Sequence, residues 1–171
     1  MRRRAASLAA CLLLLSGSLG GGQDSSVFVT PERTPEPAFT LPDLNGRPVS
    51  SKHLTGKLAV LSFGATWCAG CVSELRSLAN LQARFPNDVA VYFVALDGRG
   101  EKDVKPFMEK YGFRLPTLLD SGMAVAREHG VRSIPVTVVV DRRGVMVGRA
   151  IGPRAWDSKE ALDLVQTLIK R

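Results

Sequence analysis

Apolar positions along this 171-residue chain follow two periods. Residues 58–63 (LAVLSF) form a short, nearly all-apolar run, the pattern of a strand buried on both faces. From Ala69 the period lengthens to about 3.6. Cys71, Leu75, Leu78 and Gln82 then share one stripe, Val72, Ala79 and Leu81 lie beside it, and the pattern stops before Pro86, which predicts an amphipathic helix. A second apolar run, 89–96 (VAVYFVAL), predicts another buried strand. A helix is expected over 102–111, ending near Gly112, followed by a short strand over 115–119 and a short helix over 124–129 closed by Gly130. Residues 135–140 and 145–151 read as two strands joined by the turn Asp141-Arg142-Arg143-Gly144. The last helix is expected to start near Asp157, an N-cap with Glu160 three residues on.

Upstream, residues 38–50 carry two short extended pieces, Phe39-Thr40-Leu41 and Pro48-Val49, around Asn45-Gly46, which predicts a small β-hairpin. Buried strands alternating with helices, with a closing hairpin, imply a layered α/β domain: a central mixed sheet flanked by helices. Residues 23–37 contain Pro31, Pro35 and Pro37 among Ser, Thr and Glu and read as a flexible linker. Arg2, Arg3 and Arg4, an apolar stretch over 5–15 and the small, polar residues that follow have the form of a secretory signal, placed at 1–22 and cut between Ser18 and Gly22. The apolar stretch is shorter than the roughly 20 residues of a membrane span. Leu8-Ala9-Ala10-Cys11 offers a rival reading as a lipidated-cysteine box. Cys11, however, interrupts the apolar run where a lipidated cysteine would end it.

The composition, 45% hydrophobic and 23% charged, supplies one core and excludes collagen-like, disordered and disulfide-dense classes. Neither an internal repeat nor a second domain is visible. The formal charge is +7; without the three leading arginines the balance is 20 basic against 16 acidic residues, +4, with the signs interspersed. That pattern is not a nucleic-acid footprint. With Cys11 gone, Cys68 and Cys71 are the only cysteines.

Those two cysteines stand where a buried strand hands over to a helix N-terminus. Unpaired N–H groups and the helix dipole stabilise a thiolate there. A step of three residues is close to one helical turn and brings the sulfurs within bonding reach. Cys68 is thus expected to be the exposed nucleophile and Cys71 the buried resolving thiol. An inert disulfide competes poorly, because closing so short a loop stabilises by only about 2 kcal/mol. A zinc site needs about four ligands, and the chain adds only His53 and His129. Both histidines read as surface residues. Glu74, three residues past Cys71, shares the buried sulfur's side of the helix, with a solvated helix glutamate as the alternative.

Four segments in order carry a resemblance to the thioredoxin superfamily, and within it to the extracytoplasmic TlpA/ResA-like thiol-disulfide oxidoreductases. They are Ala38-Phe39-Thr40-Leu41-Pro42-Asp43 with Asn45-Gly46; Ser62 through Cys71; Gly130-Val131-Arg132-Ser133-Ile134-Pro135; and Ile151-Gly152-Pro153 with Trp156-Asp157. The resemblance runs from Ala38 to the C-terminus and implies a thioredoxin fold over 38–171, with residues 102–119 as a central helix-strand insertion. It implies a cis Ile134–Pro135 bond facing the cysteines, Ile134 offering its backbone to a substrate chain, and Trp67 as packing and substrate surface beside the nucleophile. It also implies that Glu74 takes part in proton transfer. Ala69-Gly70 departs from the family, which commonly has proline before the second cysteine, and this leaves the reduction potential and the direction of electron flow open.

The resulting expectation is an extracytoplasmic, periplasmic protein-disulfide reductase without cofactor or metal, acting on protein dithiol and disulfide substrates, re-reduced by a membrane thiol-disulfide donor and working as a monomer. One implied duty is keeping apocytochrome c cysteines reduced for cytochrome c maturation. An oxidase or isomerase on the same fold is one alternative. A copper metallochaperone is another, since Cu(I) suits thiolates, although the spacing here is CxxC and not CxxxC.

Overall fold

The computed structural model describes residues 33–171. The signal read over 1–22, Cys11 and the first part of the linker lie outside these residues. Among the described residues, no helix is long and apolar enough to cross a membrane.

The strands are β1 (Thr34–Pro35), β2 (Thr40–Pro42), β3 (Pro48–Ser50), β4 (Leu58–Gly64), β5 (Val89–Ala95), β6 (Thr117–Leu119), β7 (Val136–Val140) and β8 (Val145–Ile151). The helices are α1 (Ala69–Arg84), α2 (Glu101–Tyr111), α3 (Ala124–Glu128) and α4 (Lys159–Ile169), with a 3-10 turn over Ser51–Leu54. A mixed sheet runs β1-β8-β7-β4-β5-β6, and β2 and β3 form a separate hairpin. β4 pairs parallel with β5 and antiparallel with β7, so it sits in the centre and is buried at every residue. This is the thioredoxin arrangement, with α2 and β6 inserted after β5.

Alternation along β4 divides the core. Leu58 and Val60 join Leu75, Leu78 and Leu81 of α1, Val104 and Phe107 of α2, and Val165 and Leu168 of α4 on one face. Ala59, Leu61 and Phe63 meet Phe39, Leu41, Leu54, Val125 and Val131 on the other. Ser62 and Gly64 therefore face α1, where the alternating apolar pattern gives way to a hydroxyl and a hydrogen.

Three local expectations are corrected. The linker read over 23–37 is not free at its end: Thr34 and Pro35 pair with Met146 and Val145, and the Glu36 N–H donates to the Gly144 carbonyl at 2.9 Å. An edge strand needs only alternate hydrogen bonds, which proline tolerates. The hairpin does not turn on Asn45-Gly46 alone. Its five-residue connection is organised by Asp43, whose Oδ1 accepts from the N–H groups of Asn45 (2.7 Å) and Arg47 (2.9 Å). The N-cap of α4 is Ser158, whose hydroxyl accepts from the Ala161 N–H at 3.3 Å, while Asp157 accepts from Asn80 of α1 at 2.7 Å.

Candidate active site

β4 ends at Gly64 and the chain turns through Ala65, Thr66 and Trp67 into α1. Asp97, buried just beyond β5, fixes this turn. Its carboxylate accepts from the Thr66 N–H at 3.2 Å and from the Thr66 hydroxyl at 2.6 Å. Leu96 N–H donates to the Gly64 carbonyl at 2.9 Å and ties the two strand ends together. Cys68 is the N-cap of α1, in extended conformation, and its Sγ accepts from the Cys71 N–H at 3.2 Å. The same first-turn N–H also donates to the Cys68 carbonyl at 3.0 Å, so it is shared between that oxygen and the sulfur.

Cys68 and Cys71 are joined as a disulfide with Cα atoms 5.2 Å apart. Cys68 is half-buried, Cys71 is 1% exposed and the neighbouring Trp67 is 75% exposed. Only the first sulfur is open to an incoming chain. The Ile134–Pro135 peptide bond is cis. A Cβ built on Gly70 would stand 3.7 Å from Pro135 Cδ and 3.4 Å from Pro153 Cγ, which places both prolines against the turn between the cysteines. Ile134 is half-buried at this rim.

Glu74 is not solvated. It is 1% exposed and lies between α1 and the β4–β7 pair. Its Oε1 accepts from the Trp156 indole N–H at 2.8 Å and the Thr137 hydroxyl at 3.2 Å; its Oε2 accepts from the Ser62 hydroxyl at 3.3 Å. Burial pushes the carboxyl above the usual carboxylate range, and these donors, with a backbone hydrogen bond from Arg154, only partly offset it. A carboxyl held this way gives up and takes back a proton closer to neutral pH than a free glutamate does.

The histidines divide. His53 is exposed and its Nδ1 accepts from the Ser50 N–H at 3.3 Å. His129, read as a surface residue, is 4% exposed, and this is a correction. Its ring packs 5.0 Å from Phe63, Nδ1 meets the Val125 carbonyl at 2.7 Å, and Nε2 meets Glu36 Oε1 at 2.7 Å. Its partner comes from the segment read as linker, which is why no local pattern revealed it. Both ring nitrogens are occupied away from the cysteines.

Sequence reasoning passed over Ser62, Thr137, Asp97 and Trp156 as site residues. Two signals were present: Ser62 is a lone hydroxyl in LAVLSF and Thr137 a lone hydroxyl in VTVVV, each in a fully buried strand. Asp97 follows the apolar run 89–96 directly, at the end of a parallel strand. Trp156 was marked only as part of a resemblance segment, with no local sign that its indole N–H would meet Glu74.

Comparison with known proteins agrees with this geometry. The AhpC/TSA family matches residues 33–149. The thiol-disulfide oxidoreductase ResA of Bacillus thuringiensis is 32% identical over 155 residues, covering 87% of this chain and 88% of that protein. Among solved structures, a putative thiol:disulfide interchange protein DsbE from Chlorobium tepidum superposes with a TM-score of 0.75 at 24% identity, over 81% of this chain and 97% of that one. A secreted Mycobacterium tuberculosis disulfide oxidoreductase homologous to E. coli DsbE gives a TM-score of 0.65 at 28% identity, over 76% and 96%. With its paired cysteines at the head of α1 in a thioredoxin fold, the chain belongs to the AhpC/TSA family and, within it, to the ResA-like thiol-disulfide oxidoreductases.

Proposed function

We propose that this oxidoreductase works outside the cytoplasm as a protein-disulfide reductase, with Cys68 as nucleophile, Cys71 as resolving thiol and Glu74 as acceptor of the Cys71 proton. The observation that carries the reading is the pairing of a half-buried Cys68 beside exposed Trp67 with a buried Cys71 and, one turn on, a buried, hydrogen-bonded Glu74. The Cys68 thiolate attacks a substrate disulfide and releases one substrate thiolate. Cys71 then displaces the second, closing the Cys68–Cys71 bond, so the pair loses two electrons and the substrate gains them. Trp67, Ile134 and Pro135 form the surface against which the substrate chain lies.

The signal-like N-terminus and the secreted mycobacterial relative support an extracytoplasmic, periplasmic site of action. There the cytosolic thiol pool is out of reach, and a membrane dithiol donor re-reduces the pair. Substrates are protein disulfides, with apocytochrome c cysteines in cytochrome c maturation as the specific duty, and the protein acts as a monomer.

The equilibrium reduction potential of the Cys68/Cys71 pair, measured against a thiol redox buffer, tests this reading. A potential near or below about −250 mV supports a reductase; one between about −120 and −180 mV replaces it with an oxidase or isomerase.

A further inference from the structure

Between the two cysteines the chain carries no ring and no branched side chain. Ala69 is exposed, and the Gly70 carbonyl accepts from the Ser73 hydroxyl at 2.9 Å. A glycine at this point has more backbone freedom to lose than any other residue. The ring that restrains it comes from outside the turn. A Cβ on Gly70 would stand 3.4 Å from Cγ and 3.6 Å from Cβ of Pro153, and 3.7 Å from Cδ of Pro135. Two pyrrolidine rings therefore bear, at ordinary contact distance, on the side of the turn that a side chain would occupy.

Pro153 is itself held on both sides. Ahead of it, Gly152 takes a left-handed φ of 81° and its N–H donates to the Pro135 carbonyl at 2.9 Å, which joins the two rings into one unit. Behind it, the Arg154 carbonyl accepts from the Ser77 hydroxyl at 3.1 Å, which ties the loop back to α1 about two turns past Gly70. The proline's own φ is fixed by its ring. Pro153 is exposed, so its contact with Gly70 serves no part of the hydrophobic core.

We propose that Pro153 is a positioning residue for the redox pair: its ring restrains Gly70 from outside, keeps Cys71 within reach of Cys68 in the dithiol, and so favours closure of the disulfide. Backbone freedom removed before the sulfurs join is not lost again when they do. In closing, Cys68 and Cys71 give up two protons and two electrons to an external disulfide, whose S–S bond breaks to leave two thiols. The same restraint acts whether the pair works as a reductase or as an oxidase.

The test equilibrates the full chain with buffers of reduced and oxidised glutathione and reads the closing constant of the Cys68/Cys71 pair. Pro153→Ala removes the ring and lowers that constant by about three- to tenfold, since the contact restrains part of one residue's backbone; tenfold corresponds to about 30 mV. Gly70→Ala, with Pro153 in place, narrows the freedom of the turn from within and raises the constant by about two- to fivefold. Dithionitrobenzoate then separates the two steps in the reduced chain: the first coloured thiolate reports attack by Cys68, the second its displacement by Cys71, and Pro153→Ala slows the second more than the first. A closing constant within about twofold of the parent in folded Pro153→Ala, or equal slowing of both phases, overturns the role of Pro153. A constant that falls in Gly70→Ala overturns it as well, because the freedom of Gly70 then does not limit closure.

Discussion

Gly64 lies so close beneath Cys71 that a methyl group on its Cα would stand 3.1 Å from the sulfur, 3.2 Å from the cysteine Cβ and 3.0 Å from the Phe93 ring. The central strand can approach the head of α1 this closely only because residue 64 has no side chain. Gly64→Ala forces the helix, the buried sulfur or Phe93 to move, and overpacking of this kind costs about 1–3 kcal/mol. Chemical denaturation should register that loss, and the Cys68–Cys71 disulfide should reclose more slowly after reduction. An alanine protein as stable and as quick to reclose as the parent contradicts the contact.

Glu74→Gln should fold. The amide oxygen can accept from Trp156 and Thr137, and the amide nitrogen can donate to Ser62. It reproduces the neutral acid and removes the proton acceptor. Because burial raises the folded carboxyl above its unfolded value, the parent binds the proton more tightly when folded. Its stability therefore falls as pH rises from the unfolded carboxylate range through the raised folded value. The Gln variant should lose this slope while its resolving step slows. Urea titrations across mildly acidic to neutral pH, run on both proteins, compare the slopes directly.

The His129–Glu36 pair latches the N-terminal strand to the core. Burial acts to lower the imidazole's affinity for its proton, but the hydrogen bond and charge of Glu36, with the Val125 carbonyl, outweigh it and hold His129 above its ordinary range; nearby Arg149 opposes them. A histidine with a raised folded value contributes its full stability below the unfolded value near 6.5 and loses it as pH rises through the folded value. Glu36→Ala should destabilise by about 1.5–3 kcal/mol on the acid side, with a smaller difference on the alkaline side. Thermal melts near pH 5.5 and 8.5 give both differences. Equal losses at the two pH values would mean that the imidazole is neutral throughout.

Asp97→Ala strands the Thr66 N–H and hydroxyl in a partly buried turn, which costs about 1–3 kcal/mol. The released turn carries Trp67, so its fluorescence anisotropy should fall and attack by Cys68 on a disulfide should slow. Asp97→Asn keeps an acceptor for one of the two donors and should lie between. A tryptophan signal that stays as rigid in the alanine variant as in the parent removes the anchoring role.

Local pattern alone was enough to identify the strand-to-helix handover, because LAVLSF and the 3.6-residue stripe after Ala69 are signals contained in a few adjacent residues. The same holds for the cysteine pair and their unequal exposure, since position on a helix's first turn sets which sulfur faces out. The boundaries that shifted did so where two candidates lay side by side. Ser158 won the cap of α4 once Asp157 had been drawn to Asn80, 77 positions away in the chain. The linker's end was misjudged for a similar reason: its prolines excluded a helix, and only β8 could show that Pro35 fitted an edge strand.

Sequence by itself determined the redox pair, its place at a helix N-terminus and the α/β frame around it, because each follows from periodicity and spacing within one segment. The environment of Glu74 was decided only by the tertiary structure. Its side-chain donors lie 12, 63 and 82 positions away, on β4, β7 and the loop before α4. Helical spacing could put the carboxyl on the sulfur's side of α1, but whether that side met water or three hydrogen-bond donors depended on sheet order. The same is true of His129, whose partner Glu36 is 93 residues distant. A side chain's protonation is set by what is packed around it, and packing across the sheet is not written in the neighbours along the chain.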